Sequence, residues 1–389
     1  MTAAIRRDEA IERVSAYLGL RPRHEDLLGC WSRLDQEKLA AMARTLGQAR
    51  RVVVIGNGGS LDNARLVARF LGGAGLRTVA LEGLEEIHDA AVEEGFDRAF
   101  ARALGRLDPG PGDVLLALSG SGSSPNVLEA LATMREAGGA MLGLTGGDGG
   151  AMLGLLGEER TIVAPSAVME TIEDLHCLAG LALAAALSGD PGIERGQIGQ
   201  VLEQDLGRQV DFLADLTTAI SATLAERRRV FILGVSPMAC HFRQDLERGA
   251  TNTVPIVGFR APDLVGADSL TAAANDDGFA SVYLRPLVKL SPSPGDVAVL
   301  IGEGGATDTA RALLSECGCP TFLVRAGGGS GRSLAIPRPR PLFEVAVGVV
   351  DHAISRTLND WLVGLLDVKP LELPSRAWGE QRRRPDRRQ

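Results

Sequence analysis

The sequence predicts an α/β fold of two tandem units, each a doubly wound parallel β-sheet of about five strands flanked by helices, the units related by a pseudo-twofold axis. Three observations carry that expectation. Short apolar runs alternate along the chain with helical stretches of roughly ten or more residues, the pattern of a parallel sheet with helices on both faces. The same succession of segments is written twice. Of the 389 residues, 45% are hydrophobic but only 4% aromatic. That Ala-, Leu-, Val- and Gly-rich mix suits packed α/β layers, and the length suffices for two domains with cores of their own.

In the first half a helical lead-in, EKLAAMARTLGQARR, precedes the strand VVVIG, the turn NGGSLDNA and the helix ARLVARFLGG. In the second, FLADLTTAISATLAERRR precedes VFILG, the turn VSPMA and the helix ACHFRQDLERGA. EEGFDRAFARAL then leads into PGDVLLALSGSGSS, as NDDGFASVYLRPL leads into PGDVAVLIGEGGAT. An amphipathic helix and a third strand follow, AMLGLTGG against PTFLVRAGG. Each half closes on a long apolar helix, METIEDLHCLAGLALAAALSG and LFEVAVGVVDHAISRTLNDWLVGLL. The polar, turn-forming stretch at 188–197 is the expected junction. The domains are therefore expected at 1–190 and 191–370, followed by a basic, disordered tail at 371–389.

Ligands of open parallel sheets bind beyond the carboxyl ends of the strands. There the first half places SGSGSS, in which Gly120 lets backbone N–H groups approach and Ser119, Ser121, Ser123 and Ser124 add hydroxyls. The next helix adds the positive end of its dipole, completing a nest suited to phosphate. With no Lys in the turn and no GxxxxGK[ST], a nucleoside triphosphate is not expected. One such loop alone reads equally well as a tight, N-capped turn. The earlier turn, IGNGGS at 55–60 with Asn57 and Ser60, makes a second loop in the same half. In the second half the serines are gone, and Glu303 stands in the equivalent turn, where its charge repels an anion.

The two loops together resemble the sugar isomerase (SIS) domain, a phosphosugar-binding module. With EEGF, PGDVLLALSGSGSSPNVLEAL, GLTGG and APS followed by ETIEDLH, the chain is similar specifically to the phosphoheptose isomerases, over roughly 40–187 and, more weakly, 212–366. That family interconverts sedoheptulose 7-phosphate and a seven-carbon aldose phosphate, and carries its zinc on the motifs GNGGSxxDAxHxxxEL and QExHxxxxH. In the first half the four ligand positions fall on Leu66, Phe70, Glu173 and Leu181, so the resemblance implies no metal site there. In the second half they fall on His241, Asp245, Glu344 and His352. These four are the expected ligands of a divalent metal, with Zn2+ as first choice and Mn2+, Fe2+ or Ni2+ also compatible. The i, i+4 pair shares one helical face, and i+8 falls about 80° round. ANDDGF matches the family's ANDxG(Y/F), which implies that Asn275 and Asp276 face substrate; the first half has Val92 and Glu93 there.

The implied division of labour gives the phosphate to the first half and the metal and acid–base groups to the second, in one composite site. Asp245 is the expected base at the C–H bond and His352 the carrier of the oxygen proton. The expected activity is aldose–ketose isomerisation of sedoheptulose 7-phosphate or a similar long-chain ketose phosphate. A non-catalytic phosphosugar-binding regulator and a metal-free amino-sugar or hexose phosphate isomerase are the rivals, and metal analysis separates them. The net charge of −8 argues against nucleic acid as a partner. Five irregularly spaced cysteines fit a reducing cytoplasm, and no stretch approaches a charge-free transmembrane length, so no membrane is expected. Because the family builds its sites between identical subunits, the resemblance also implies a homo-oligomer, a dimer of tandem chains.

Overall fold

The computed structural model of the chain describes residues 4–18, 27–189, 205–249, 260–262, 264, 266–327, 332–336 and 340–366. The expected junction from 190 onward and the basic tail lie outside these residues. Helices α1 (Arg7–Tyr17), α2 (Leu27–Arg33) and α3 (Gln36–Gly47) precede the first strand. The Asp35 carboxylate accepts from the Lys38 N–H and caps α3. The first half continues through β1 (Arg51–Ile55), α4 (Gly59–Gly73), β2 (Thr78–Ala80), α5 (Leu84–Glu93), α6 (Ala99–Gly105) and β3 (Asp113–Ser119). It ends with α7 (Pro125–Glu136), β4 (Ala140–Gly146), α8 (Gly150–Leu156), β5 (Thr161–Ala164) and α9 (Met169–Ser188). The five strands are all parallel, in the order β2-β1-β3-β4-β5.

The second half repeats the plan. It runs α10 (Val210–Ala225), β6 (Val230–Leu233), α11 (Pro237–Gln244), α12 (Ala267–Asp277), α13 (Leu284–Leu290) and β7 (Val297–Ile301). Then come α14 (Gly305–Glu316), β8 (Thr321–Arg325), β9 (Ser333–Ala335) and α15 (Arg340–Leu366). Its described sheet has four parallel strands, β6-β7-β8-β9, rather than five. A lone parallel bridge joins Arg229 to Arg260. The Val230 N–H donates to Arg260 O just as the Val52 N–H donates to Arg77 O beside β2. The neighbouring residues 250–259 lie outside the described set.

Side chains of the central strands alternate between faces, as a period of two requires. Val52, Val54, Leu116 and Leu118 enter one core, while Val53, Ile55, Leu115 and Ala117 enter another. In the second sheet Val230, Ile232, Val297 and Val299 join that same first core, and Phe231, Leu233, Ala298 and Leu300 face outward to a third. The inner faces of the two sheets therefore share one apolar core, filled by α3, α4, α9, α10, α11 and α15. Each fully buried Val, Leu or Phe there contributes roughly 1.5–3 kcal/mol. Helix α9 is long and apolar enough to cross a membrane by composition, yet 72% of the apolar stretch is buried inside the protein.

The duplicated PGDV has a structural task in each half. Asp113, at the head of β3, accepts from Arg50 Nη2 at 2.7 Å and Arg51 Nη2 at 2.7 Å. Asp296, just before β7, accepts from Arg229 Nη2 at 2.6 Å. Each buried carboxylate thus ties its strand to the arginines at or just before the first strand of its own half.

Candidate active site

Helix α11 is entered through Ser236, whose hydroxyl caps the Ala239 N–H, with Pro237 at the first helical position. It carries His241 on its buried face. Asp245 follows at the start of a π-helical turn, Asp245–Gly249, a local widening common at functional sites. His352 lies mid-way along α15 and is fully buried, like His241. The two imidazoles meet edge to face, with centroids 4.9 Å apart.

Two carboxylates close on the pair. Asp245 Oδ1 lies 3.7 Å from His241 Nε2, and its Oδ2 lies 3.6 Å from His352 Nε2. Glu173 Oε2, delivered from α9 of the other half, lies 3.5 Å from His241 Nε2 and 3.6 Å from His352 Nε2. Asp351 also offers a ligand atom within 4.8 Å of those of His241, Asp245 and His352. On the far side of the ring, His352 Nδ1 sits 2.7 Å from Asp174 Oδ1, and Asp174 Oδ2 accepts from the Tyr17 hydroxyl of α1 at 2.9 Å. Asp174 thereby fixes the tautomer that leaves Nε2 facing the cluster, as second partners of metal-binding histidines do.

Burial disfavours charge on both histidines, but it loses to their neighbours. Asp245 and Glu173 lift the His241 pKa to about 10, and Asp174 with Glu173 raises that of His352 well above the ordinary imidazole value. Glu173 is driven down against its own burial by the same two rings, while burial raises Asp245. His176, also buried on α9 but outside this group, moves the other way, to about 4, because desolvation dominates there.

The residues fit a divalent cation. Both nitrogens of His241 and Nε2 of His352 are buried without a hydrogen bond among the described residues, which is rare for polar atoms unless something else satisfies them. Donors sharing a ligand sphere of roughly 2.1 Å stand about 3.4 Å apart in a tetrahedron, close to the spacings of Glu173 and Asp245 from the two rings. The backbone leaves the space open: a Cβ on Gly59 would sit 2.4 Å from His241 Nε2 and 2.7 Å from Glu173 Oε1. Gly59 begins α4, so the first turn of the first half lies directly against the histidine of the second.

That turn is tied to the serine loop. Asn57 and Asn126 exchange two side-chain hydrogen bonds, each 2.9 Å, which join the turn before α4 to the start of α7. Ser119 Oγ and Ser124 Oγ are 3.3 Å apart, and Ser121 Oγ accepts from the Ser123 N–H. Ser123 Oγ accepts from the Ala151 N–H, which pins the loop to α8. Gly120 is required by close packing, since a Cβ there would meet Met169 Sδ at 2.3 Å and Ile172 Cγ2 at 3.8 Å. Ile172 precedes Glu173, so the loop and the cluster are neighbours across the first turn of α9. Ser60 is buried at the start of α4.

Several expectations change place. Glu344 does not join the cluster; its Oε1 pairs with Arg69 Nη2 of α4 at 2.8 Å. The reason is the pseudo-twofold arrangement, which crosses the closing helices, so that the cluster takes its carboxylate from α9 of the first half. Glu173 stands at the matching motif position of the first half, where Leu66, Phe70 and Leu181 offer no ligand atom, so the motif there implies no metal by itself. The first half therefore supplies more than the phosphate loop. Asn275 and Asp276 are exposed on α12, where the Asn275 amide donates to Asp276; among the described residues no hydrogen bond or ion pair joins them to the cluster. Glu303 accepts from the Gly327 N–H and lines a cavity of the second half with Ser236, Phe279, Tyr283, Thr307 and Glu344. His352 has one free nitrogen for two expected roles, since Asp174 occupies the other. Tyr17, Asp174, Asp351 and Gly59 carried no sequence signal beyond the helices or turns they sit in.

Comparison with known proteins bears on what this arrangement serves. Residues 36–146 match the SIS domain model. The chain is 39% identical to the phosphoheptose isomerase of Chlorobaculum parvum over 133 residues, which is 30% of this chain and 62% of that protein. It is 34% identical to the phosphoheptose isomerase of Halorhodospira halophila over 165 residues, covering 39% of this chain and 82% of the relative. The two-sheet architecture recurs in the crystal structure of tagatose-6-phosphate ketose/aldose isomerase from Escherichia coli, with TM-score 0.55 and 12% identity, over 95% of this chain and 97% of that one.

Proposed function

The chain belongs to the SIS-domain family of phosphoheptose isomerase-like proteins, and from that premise we propose that it is a metal-dependent aldose–ketose isomerase of a sugar phosphate, sedoheptulose 7-phosphate or a ketose phosphate of similar length. The observation that carries the reading is the buried cluster of His241, Asp245, Glu173 and His352, with Ile172, the residue before Glu173 on α9, lying beside Gly120 of the serine loop. A protein that only bound phosphosugars would need the loop and not the cluster.

On this reading the phosphate rests on the loop 119–124, where the Ser119, Ser121 and Ser124 hydroxyls and the amino end of α7 receive its charge. Anchoring the remote phosphate positions the carbonyl end toward the cluster. His241, Asp245, Glu173 and His352 would hold the cation, which would supply Lewis-acid stabilisation of negative charge on the substrate oxygens. Asp245 is the most accessible of the four, with 17% of its side chain exposed, and it moves the proton between the two carbons. Nε2 of His352 is committed to the cluster, so we assign it to holding rather than to the oxygen proton. Asn57 keeps the two loops in register through Asn126. All these groups come from one chain, and none of its five cysteines is in a disulfide, which supports a cytoplasmic enzyme.

The test is direct. Metal-replete protein is incubated with sedoheptulose 7-phosphate and followed by NMR for the aldose phosphate and for solvent deuterium at the carbon that loses its proton. Isomerisation that disappears on chelation and returns with added metal is expected. Full activity in stripped protein, or none on any five- to seven-carbon ketose phosphate, rules the reading out. Asp245→Asn is expected to lower kcat by about 10²-fold or more with little change in KM.

A further inference from the structure

The buried cluster contains one carboxylate that the reading above leaves idle. Asp351 precedes His352 on α15 and is completely buried. Its Oδ1 accepts from the Ser355 hydroxyl at 2.8 Å, one turn later on the same helix. Its Oδ2 has no hydrogen-bond partner among the described residues. A carboxylate oxygen without a donor, in an apolar helix interface, is costly unless a cation or a donor meets it. No arginine or lysine pairs with Asp351 among the described residues, whereas the other buried acid of α15, Glu344, has Arg69. What lies near Asp351 is the cluster itself, with ligand atoms of His241, Asp245 and His352 all within 4.8 Å.

We propose that Asp351 is a fifth donor to the cation held by His241, Asp245, Glu173 and His352, so that the site takes an oxygen-preferring divalent ion, Mn2+ or Fe2+. This rests on the metal-dependent reading proposed above. The two imidazoles, Asp245 and Asp351 offer four atoms within 4.8 Å of one another, and with Glu173, 3.5 Å and 3.6 Å from the two rings, the set exceeds the four donors of a closed tetrahedral zinc site. Oxygen-rich sets with more than four positions are the habit of Mn2+ and of non-haem Fe2+. The Ser355 hydroxyl acts as the outer partner, holding one oxygen of Asp351 so that the other is presented inward.

The experiment measures metal alone. Protein stripped with chelator is titrated with Mn2+ by electron paramagnetic resonance, and with Zn2+ in competition with a chromophoric chelator, in the wild type, Asp351→Asn, Ser355→Ala and His241→Ala. Asp351→Asn is expected to weaken Mn2+ by at least roughly tenfold and Zn2+ by a clearly smaller factor, with Ser355→Ala following in the same direction for Mn2+. His241→Ala is expected to lose both ions. Unchanged Mn2+ affinity in a folded Asp351→Asn overturns the fifth donor while leaving the metal-dependent reading standing. Equal losses for Mn2+ and Zn2+ overturn the choice of ion. A wild type that binds neither ion overturns both the proposal and the reading beneath it. Should Asp351→Asn not fold, Ser355→Ala decides the matter, and Mn2+ affinity equal to wild type defeats the proposal.

Discussion

Gly59 shows how much one missing methyl can decide. In an ordinary helix Gly→Ala gains up to about 1 kcal/mol of helix propensity. Here the added Cβ would stand 2.4 Å from His241 Nε2 and 2.7 Å from Glu173 Oε1, so the two halves of the cluster would be forced apart. Gly59→Ala is therefore expected to leave the melting temperature within a few degrees of wild type while metal content after dialysis falls to background. Retention of stoichiometric metal by that variant would show that the cluster does not close where the structure puts it. Asp174 works at the same scale from behind. It holds Nδ1 of His352 and is itself held by Tyr17, so Tyr17→Phe is expected to weaken metal by roughly tenfold or less, and Asp174→Asn by roughly 10–100-fold.

At the scale of elements, the same strand, turn and helix unit has been put to two uses. In the first half the turn after β3 is built of serines, and Ser121→Ala with Ser124→Ala should each weaken substrate binding by about 1.5–3 kcal/mol, the contribution of a hydrogen bond to a charged group. The loss is expected in KM more than in kcat, and a fall in kcat alone would place the phosphate elsewhere. In the second half the turn after β7 turns Glu303 onto the Gly327 N–H, and its carboxylate stands where an anion would otherwise come. The strand heads offer a prediction about acid. Burial alone would raise the carboxyls of Asp113 and Asp296, but Arg50 with Arg51, and Arg229, outweigh it and hold both below their ordinary value. Their contribution to stability is complete above the unfolded carboxylate pKa of roughly 4 and is lost as pH falls through the depressed folded values. Thermal unfolding between about pH 6 and pH 3 should therefore show a smaller acid-induced drop in Asp113→Asn and Asp296→Asn than in wild type; an unchanged slope would mean that the ion pairs are indifferent to folding.

At the scale of the molecule, the two sheets are not independent bodies, because their inner faces drain into one core. A single cooperative unfolding transition is expected by circular dichroism and fluorescence alike, and two separated transitions would show that the shared core is weaker than the halves it joins. The cluster has the same logic, since Glu173 and Gly59 come from one half and His241, Asp245 and His352 from the other. Mixing a Ser121→Ala/Ser124→Ala protein with Asp245→Asn should restore no activity, because the loop and the base belong to the same chain. Rescue on mixing would mean that the site closes between chains instead.

The architecture, and three of the residues that meet in the buried cluster, were legible in the sequence. Periods of two and of 3.6 residues, repeated in the same order, are local properties, and a parallel sheet follows from them whatever the tertiary detail. The serine loop, His241, Asp245 and His352 were equally legible, because each lies on a local motif whose spacing survives in one segment. Which acid completes the cluster was not legible. Glu173 and Glu344 occupy the same position in their own repeats, and nothing within either segment separates them. Only the crossing of α9 and α15 does so, bringing Glu173 to the histidines and setting Glu344 against Arg69. The clasp of Tyr17 on Asp174 and the place of Asp351 were decided in the same way. Each depends on which residues distant in the chain come to lie against one another, and a pattern of neighbours along the chain holds no record of that.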